Sequence, residues 1–191
     1  KGYSYTTTFR IQKTIKDLYL SAAYTYSKSK NTAEGGSTAG GLWSGRPVTG
    51  NPNTDNLAYA SFYQPHRVVA FASYKISYAK YFATSFGLFF EAAPNGVTSY
   101  VYNGDLNNDG NTGNDLIYIP NNASEINLVK SGSGGLGTGT GGASDLRTPA
   151  QIWNQLNAYI NQDNYLSTRR GKVAEANAVI NPYFKKLDLN V

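Results

Sequence analysis

Hydrophobic and polar residues alternate along the first thirty positions of the chain. In residues 3–15 the odd positions are mostly aromatic or aliphatic, and the even positions carry hydroxyl, amide or guanidinium groups. The pattern restarts after Lys16 and Asp17, with the apolar residues now at even positions. A period of two is typical of β-strands. The pattern therefore predicts a hairpin of strands 3–15 and 18–30 with one apolar and one polar face.

A second hairpin follows the same rule. Its strands are expected at residues 66–78 and 81–92, with a turn near Ala79 and Lys80. Gly87 and Glu91 lie on the face opposite the phenylalanines of the return strand. A fifth alternating stretch occupies residues 184–191. About five antiparallel strands are therefore predicted.

The long strands run for about 12 to 13 residues, which is roughly twice the usual length in globular proteins. At about 3.3 Å per residue and a tilt near 45°, such a strand rises close to 30 Å, enough to cross the hydrocarbon layer of a membrane. Tyrosines near the strand ends are typical of the aromatic girdle at a membrane interface. A soluble β-sandwich or barrel is the alternative. The girdle residues are Tyr3, Tyr5, Tyr24, Tyr26, Tyr78 and Tyr81.

Connections between the strands differ greatly in length. Short turns close one end of each hairpin, whereas residues 31–65 and 93–183 form long connections at the other end. This asymmetry is typical of bacterial outer-membrane barrels, whose long loops face outside the cell. The predicted fold is all-β, a transmembrane antiparallel β-barrel segment with long extracellular loops and one short loop helix. Because open strand edges are costly in lipid, these 191 residues are expected to belong to a longer chain and not to fold alone.

Composition supports a β protein and removes other classes. The chain has 16 tyrosines and 20 glycines, and charged residues make up only 15%. No stretch approaches the roughly 20 apolar residues of a membrane-spanning helix. With no cysteine, disulfides and thiolate chemistry are excluded. The net charge of +5 comes from scattered basic residues, so no nucleic-acid partner is expected.

The sharpest local motif lies in the second long connection. Asp105, Asn107 and Asp109 supply oxygen ligands at positions 1, 3 and 5, Gly110 follows at position 6, and Asn111 offers a carbonyl at position 7. This spacing is typical of Ca²⁺ loops of the EF-hand type. Position 12 is Leu116 instead of glutamate, so Asp115 at position 11 is the candidate closing ligand. The predicted site is Asp105, Asn107, Asp109, Asn111 and Asp115, holding a structural Ca²⁺. The alternative is an Asn/Asp/Gly turn that binds nothing.

One helix is predicted, at residues 149–161. Thr148 as N-cap, Pro149 at the first position and Gln151 at the third form a capping box. The helix is expected to pack over the barrel mouth, with Trp153 either packed or facing a partner. A Gly/Ser/Thr-rich run at residues 131–142, which is typical of a linker, precedes the helix. Its apolar stripe comprises Ile152, Leu156, Tyr159 and Ile160.

No catalytic constellation is evident, so the chain is not expected to be an enzyme. His66 is the single histidine, and a hydrogen bond at the barrel rim is its expected role. Arg169, Arg170 and Lys172 form the one dense basic cluster. They are expected to pair with Glu175, Asp163 or Glu91, or else to hold lipopolysaccharide phosphates.

Three stretches resemble a known family. These are Gln64-Pro-His-Arg-Val-Val-Ala70, Tyr102-Asn-Gly-Asp-Leu-Asn-Asn-Asp-Gly110 with its continuation to Pro120, and Tyr165-Leu-Ser-Thr-Arg-Arg-Gly171 with its continuation to Leu189. They are similar to the C-terminal barrel region of TonB-dependent receptors. The likeness is to the Oar-like branch of Bacteroidetes, which carries a carboxypeptidase-regulatory-like N-terminal domain. It begins at Gln64, and the first hairpin is generic.

The resemblance implies a bacterial outer-membrane receptor that imports a bulky nutrient such as a glycan, peptide or siderophore. It implies as partners the rest of the barrel and its plug, the TonB complex, a surface lipoprotein, and the lipid bilayer with its lipopolysaccharide. A plug, a TonB-contact segment and a final aromatic strand are not found in this sequence. Two other classes stay open: a non-transporting surface barrel or adhesin, and a soluble Ca²⁺-binding β protein.

Overall fold

The computed structural model describes residues 1–33, 38–128 and 147–191. The fold is mostly antiparallel β, as the alternation predicts. The predicted linker at residues 131–142 lies outside the described residues.

Five long strands form the main sheet: β1 (Gly2–Ile15), β2 (Leu18–Asn31), β4 (His66–Ala79), β5 (Phe82–Pro94) and β10 (Tyr183–Asn190). A two-residue strand, β3 (Ala58–Tyr59), pairs with the end of β2. The long strands follow the order β1-β2-β4-β5-β10, and every neighbouring pair is antiparallel. Within the described residues, β1 and β10 each pair on one side only.

These bounds lie within two residues of those predicted from the alternation. Lys16 and Asp17 make the first turn, and Lys16 adopts the left-handed conformation with φ 53°. The second turn is made by Lys80 and Tyr81, one residue later than predicted. The register of β4 against β5 shifts between Ser77 and Ala79. The extra residue of this bulge moves the turn along the chain.

The second long connection has a small hydrophobic core of its own. Two short strand pairs, β6 (Val97–Thr98) with β9 (Val179–Ile180) and β7 (Tyr118–Ile119) with β8 (Lys172–Val173), close it into a compact unit. Burying side chains such as those of Ile119 and Leu166 contributes about 1.5–3 kcal/mol each. The core residues are Leu116, Ile119, Ile160, Leu166, Ala174 and Ala176.

The predicted helix is α2 (Pro149–Gln162), and its capping box is present. Thr148 Oγ1 accepts from the Gln151 N–H, and the Gln151 side chain accepts from the Thr148 N–H. Ile160 is buried and Leu156 packs against the loop core, so the apolar stripe of α2 covers that core. Trp153 is half-buried beside a hollow that Ile126 also lines.

The expectation of a single helix was wrong. Residues Ala39–Ser44 form a short helix, α1, which Thr38 caps by accepting from the Gly41 N–H. Two 3₁₀ turns also occur, at Ala123–Glu125 and Leu166–Thr168. Gly40 and Gly41 lower the helix propensity of α1, which hid it from the sequence pattern.

Candidate functional site

One face of the main sheet is apolar across all five strands. The register places Ile11, Ala22, Ala70, Phe90 and Leu187 in one row that crosses the sheet. Large side chains on this face are open to solvent; those of Ile11 and Leu187 are 74% and 65% exposed. Nothing in the described part of the chain covers this face. An exposed apolar surface of this extent is typical of a contact with other protein or with a membrane.

The apolar band has a defined height. On this face, β4 from Val68 to Tyr78 and β5 from Phe82 to Ala92 carry no acidic or basic side chain. The ten steps between the ends of such a stretch, at about 3.3 Å each, span roughly 33 Å along the strand, or about 23 Å of height at a tilt of 45°. This height is close to the apolar band of about 25 Å on outer-membrane barrels. On other strands the same face does carry charge: Lys13 of β1 lies in the row of Leu20 and Ala72, and Lys185 of β10 lies in the row of Ala92 and Val68. Lys28 and Lys30 lie beyond this stretch, towards the end of β2.

The opposite face is polar and internally hydrogen-bonded. Arg67 and Glu91 form an ion pair with a distance of 2.6 Å between Nη2 and Oε1. Lys186 lies directly across from Glu91 and pairs with Asp188 at 2.8 Å. Phe71 and Phe89 are paired on this face too, so its polarity is interrupted by an aromatic patch. Charges satisfied in this way are typical of a surface that faces water or other polar groups.

In the predicted cation loop, residues 105–115, the Asp and Asn side chains accept hydrogen bonds from the backbone of the same loop. Asp105 accepts from the N–H groups of Asp109 and Gly110, Asn107 accepts from Asp109, and Asp109 accepts from Asn111. Gly110 has φ +88°, a conformation that favours glycine. The side chains at positions 1, 3 and 5 therefore turn towards the backbone of positions 5, 6 and 7.

Asp115 closes this loop from its far end. Its Oδ2 accepts from the Leu106 N–H at 2.7 Å, and its side chain is only 3% exposed. Among the described residues, none of Asp105, Asp109 and Asp115 forms an ion pair with a basic side chain. A buried carboxylate without a positive partner is energetically costly.

Asn114 was not among the predicted ligands, yet the structure places it at the same cluster. Its Nδ2 donates to Asp109 Oδ2 at 3.0 Å, while its buried Oδ1 has no hydrogen-bond partner. The only sequence signal was its place next to Asp115. Its backbone carbonyl accepts from the Val48 N–H, a contact between the two long connections that the local sequence does not encode.

The pKa of Asp109 lies below the usual aspartate range. Desolvation opposes this shift, but hydrogen bonds from the Asn111 backbone and from the amides of Asn114, Asn107 and Asn111 outweigh it. The carboxylate is therefore charged at neutral pH. In the described residues, no group of three or more Asp, Glu, His or Cys side chains lies where it could hold a metal ion. The oxygen donors gathered here are mixed carboxylates and amides.

The two arginines of the basic cluster have different contacts. Arg169 pairs with Glu175 at 3.1 Å, one of the predicted partners. Arg170 donates to the Pro120 carbonyl and to the side chains of Asn157 and Asn161, so it fastens α2 to the loop core.

Two of the other expected partners have different contacts. Glu91 pairs with Arg67, as described for the polar face. Asp163 accepts from the Tyr165 and Leu166 N–H groups and from the Tyr100 hydroxyl. His66 forms a hydrogen bond between Nδ1 and the Tyr24 hydroxyl at 2.7 Å, as expected for a strand end.

No protein-family model, curated protein or solved structure matches this chain. Among the described residues, no helix combines the length and hydrophobicity needed to cross a bilayer.

Proposed function

We propose that this chain is part of an outer-membrane β-barrel in a bacterium, with the apolar face of its main sheet in contact with lipid. The carrying observation is the apolar surface that spans five strands, on which β4 and β5 carry no charged side chain over about 23 Å of height. The polar face, with the Arg67–Glu91 pair, then lines the barrel interior. Further strands pair with β1 and β10, because unpaired backbone groups in lipid cost several kcal/mol each.

The barrel belongs to a TonB-dependent receptor that imports a bulky nutrient such as a glycan, peptide or siderophore. This second step rests on the resemblance of the stretches from Gln64 onward. The loop core and α2 support it, since a folded outside loop suits the capture of a large ligand. Its partners are the rest of the barrel and plug, the TonB complex and a surface lipoprotein.

A pair of adjacent residues tests the lipid contact. Ala72 and Ser73 lie at the same depth of β4 but on opposite faces. Because the chain has no cysteine, spin labels can be placed at Ala72→Cys and Ser73→Cys in the full-length protein in bilayers. We expect the label at 72 to relax with oxygen, which dissolves in lipid, and the label at 73 to relax with a water-soluble nickel chelate.

A soluble β protein, the alternative class, would give a different result. In a soluble β protein the apolar face is covered by protein, so the label at 72 would be shielded from both reagents. That outcome, together with a folded monomer in plain buffer, would overturn the proposed function.

A non-transporting barrel or adhesin shares the strands but lacks a plug. The intact mass and N-terminal peptide map of the parent protein, taken from membrane fractions, separate these two classes. We expect a parent of several hundred residues with a plug region upstream of Lys1. A mature product near 20.7 kDa would contradict the receptor assignment.

A further inference from the structure

The cation loop (residues 105–115) lies against residues 48–50 of the first long connection. The Val48 N–H donates to the Asn114 carbonyl, and the Leu116 N–H donates to the Val48 carbonyl, each at 2.8 Å. Asn107 Nδ2 also donates to the Gly50 carbonyl at 2.8 Å. The two long connections, separated by hairpin β4–β5, are thus joined by hydrogen bonds at the loop itself.

Asn114 has a buried side-chain oxygen without a hydrogen-bond partner. It is 3% exposed, and its Oδ1 has no partner, although such buried oxygens are nearly always paired. The structure directs the other end of this amide to the cluster, since Nδ2 donates to Asp109 Oδ2 at 3.0 Å. Rotation of this amide by half a turn presents Oδ1 to the carboxylate cluster.

The cluster also carries charge that no basic side chain of the described residues neutralises. Asp115 is 3% exposed and, in the described part of the chain, forms no ion pair, as is also true of Asp105 and Asp109. Carboxylate, amide and carbonyl oxygens are the ligands that Ca²⁺ prefers. A hard divalent cation supplies both the missing charge and the missing partner of Asn114.

We propose that residues 105–115 bind one Ca²⁺ through Asp105, Asn107, Asp109 and Asn114, and that the ion fastens residues 46–50 of the other connection to this loop. The ligand set differs from the sequence-based site: Asn114 is added, and Asn111 and Asp115 are left out, because Asp115 Oδ2 accepts from the Leu106 N–H instead. Binding holds Asn114 in place, and the Asn114 carbonyl in turn holds Val48. The ion therefore makes one rigid surface from two long connections.

Direct Ca²⁺ binding to the full-length protein in detergent, freed of lipopolysaccharide, tests the site. We expect a dissociation constant on the order of 0.1–1 mM, as in extracellular Ca²⁺ modules. Asp109→Asn should weaken binding by about tenfold or more, because it removes one ligand charge. Asn114→Asp should tighten binding, because it adds one. Asp55→Asn, an exposed aspartate outside the cluster, is the control and should leave binding unchanged.

The gain expected for Asn114→Asp keeps the test independent of misfolding, because a damaged loop would not bind more tightly. If Asp109→Asn binds as the wild type does and Asn114→Asp gains nothing, the site is wrong. That result would leave the lipid contact of the sheet untouched, since the spin labels on β4 report it separately.

Hydrogen exchange tests the fastening of the two connections. With CaCl₂ in place of NaCl at equal ionic strength, exchange of the Val48 amide should slow about tenfold, and this effect should be absent in Asp109→Asn. Ca²⁺ uptake without slower exchange in residues 46–50 would overturn the fastening.

Discussion

At the scale of single residues, local hydrogen bonds decide which charges persist. Asp163 follows α2 and accepts from the N–H groups of Tyr165 and Leu166 and from the hydroxyl of Tyr100. These bonds hold the pKa of Asp163 below its usual value, although desolvation acts in the other direction. Burial, followed by the hydrogen bonds with Tyr159 and Asp163, raises the pKa of Tyr100. Asp163 therefore stabilises the chain reversal after α2 only while it is ionised.

The sign of this coupling gives a pH prediction. A lowered pKa in the folded state means that the stabilisation is fully present above the ordinary aspartate pKa of about 3.9 and is lost as pH falls through the lowered value. Protection of the Leu166 amide from hydrogen exchange should therefore be constant from pH 7 to pH 5 and decrease below about pH 4.

Asp163→Asn should remove this acid dependence and lower the local stability by about 1 kcal/mol. Asp55→Asn should keep the acid dependence, because the Asp55 side chain is exposed and distant in sequence. A wild-type profile that is flat down to pH 3 would contradict this role of Asp163.

The contacts of the single histidine, His66, were predicted only in part from the sequence. Its hydrogen bond to Tyr24 was expected in kind, but its partner was not, because the two residues belong to strands that a long connection separates. Asn114 is the stronger case. Its position beside Asp115 was visible, whereas its buried and unpaired side-chain oxygen and its backbone bond to Val48 appear only in the folded structure.

At the scale of elements, the strands and α2 follow from local rules. Alternation with a period of two set the faces of all five long strands, and these faces agree with the observed register. The capping box of α2 was readable because its residues, Thr148 to Gln151, are adjacent in sequence.

The short elements were not readable in the same way. Helix α1 contains two glycines, and strands β6 to β9 have two residues each, too few for any period to appear. These strands form because their partners and the loop core hold them. Tertiary contacts therefore supply what local propensity does not.

At the scale of the whole molecule, both long connections leave the sheet at the same end. Asp17 lies in the short turn at one end of the β1–β2 hairpin, and Asp55 lies in the connection that follows the other end. If the sheet crosses a membrane, these two positions are on opposite sides.

Surface labelling of intact bacteria measures this directly. A bulky maleimide that does not cross the outer membrane should react with Asp55→Cys at once. It should react with Asp17→Cys only after the membrane is permeabilised. Equal labelling of both positions in intact cells would contradict the crossing, and the unmodified chain, which has no cysteine, is the background control.

The sequence by itself determined the strands, their two faces, the short turns, α2 and the oxygen-rich loop, because each depends on residues that are close along the chain. The tertiary structure decided which strands are neighbours, such as β2 with β4 across residues 32–65 and β5 with β10 across residues 95–182. It also decided the loop core, the burial of Asp115 and the contact of Val48 with Asn114. These features depend on closing long connections, whose outcome rests on packing between distant residues and not on any local period.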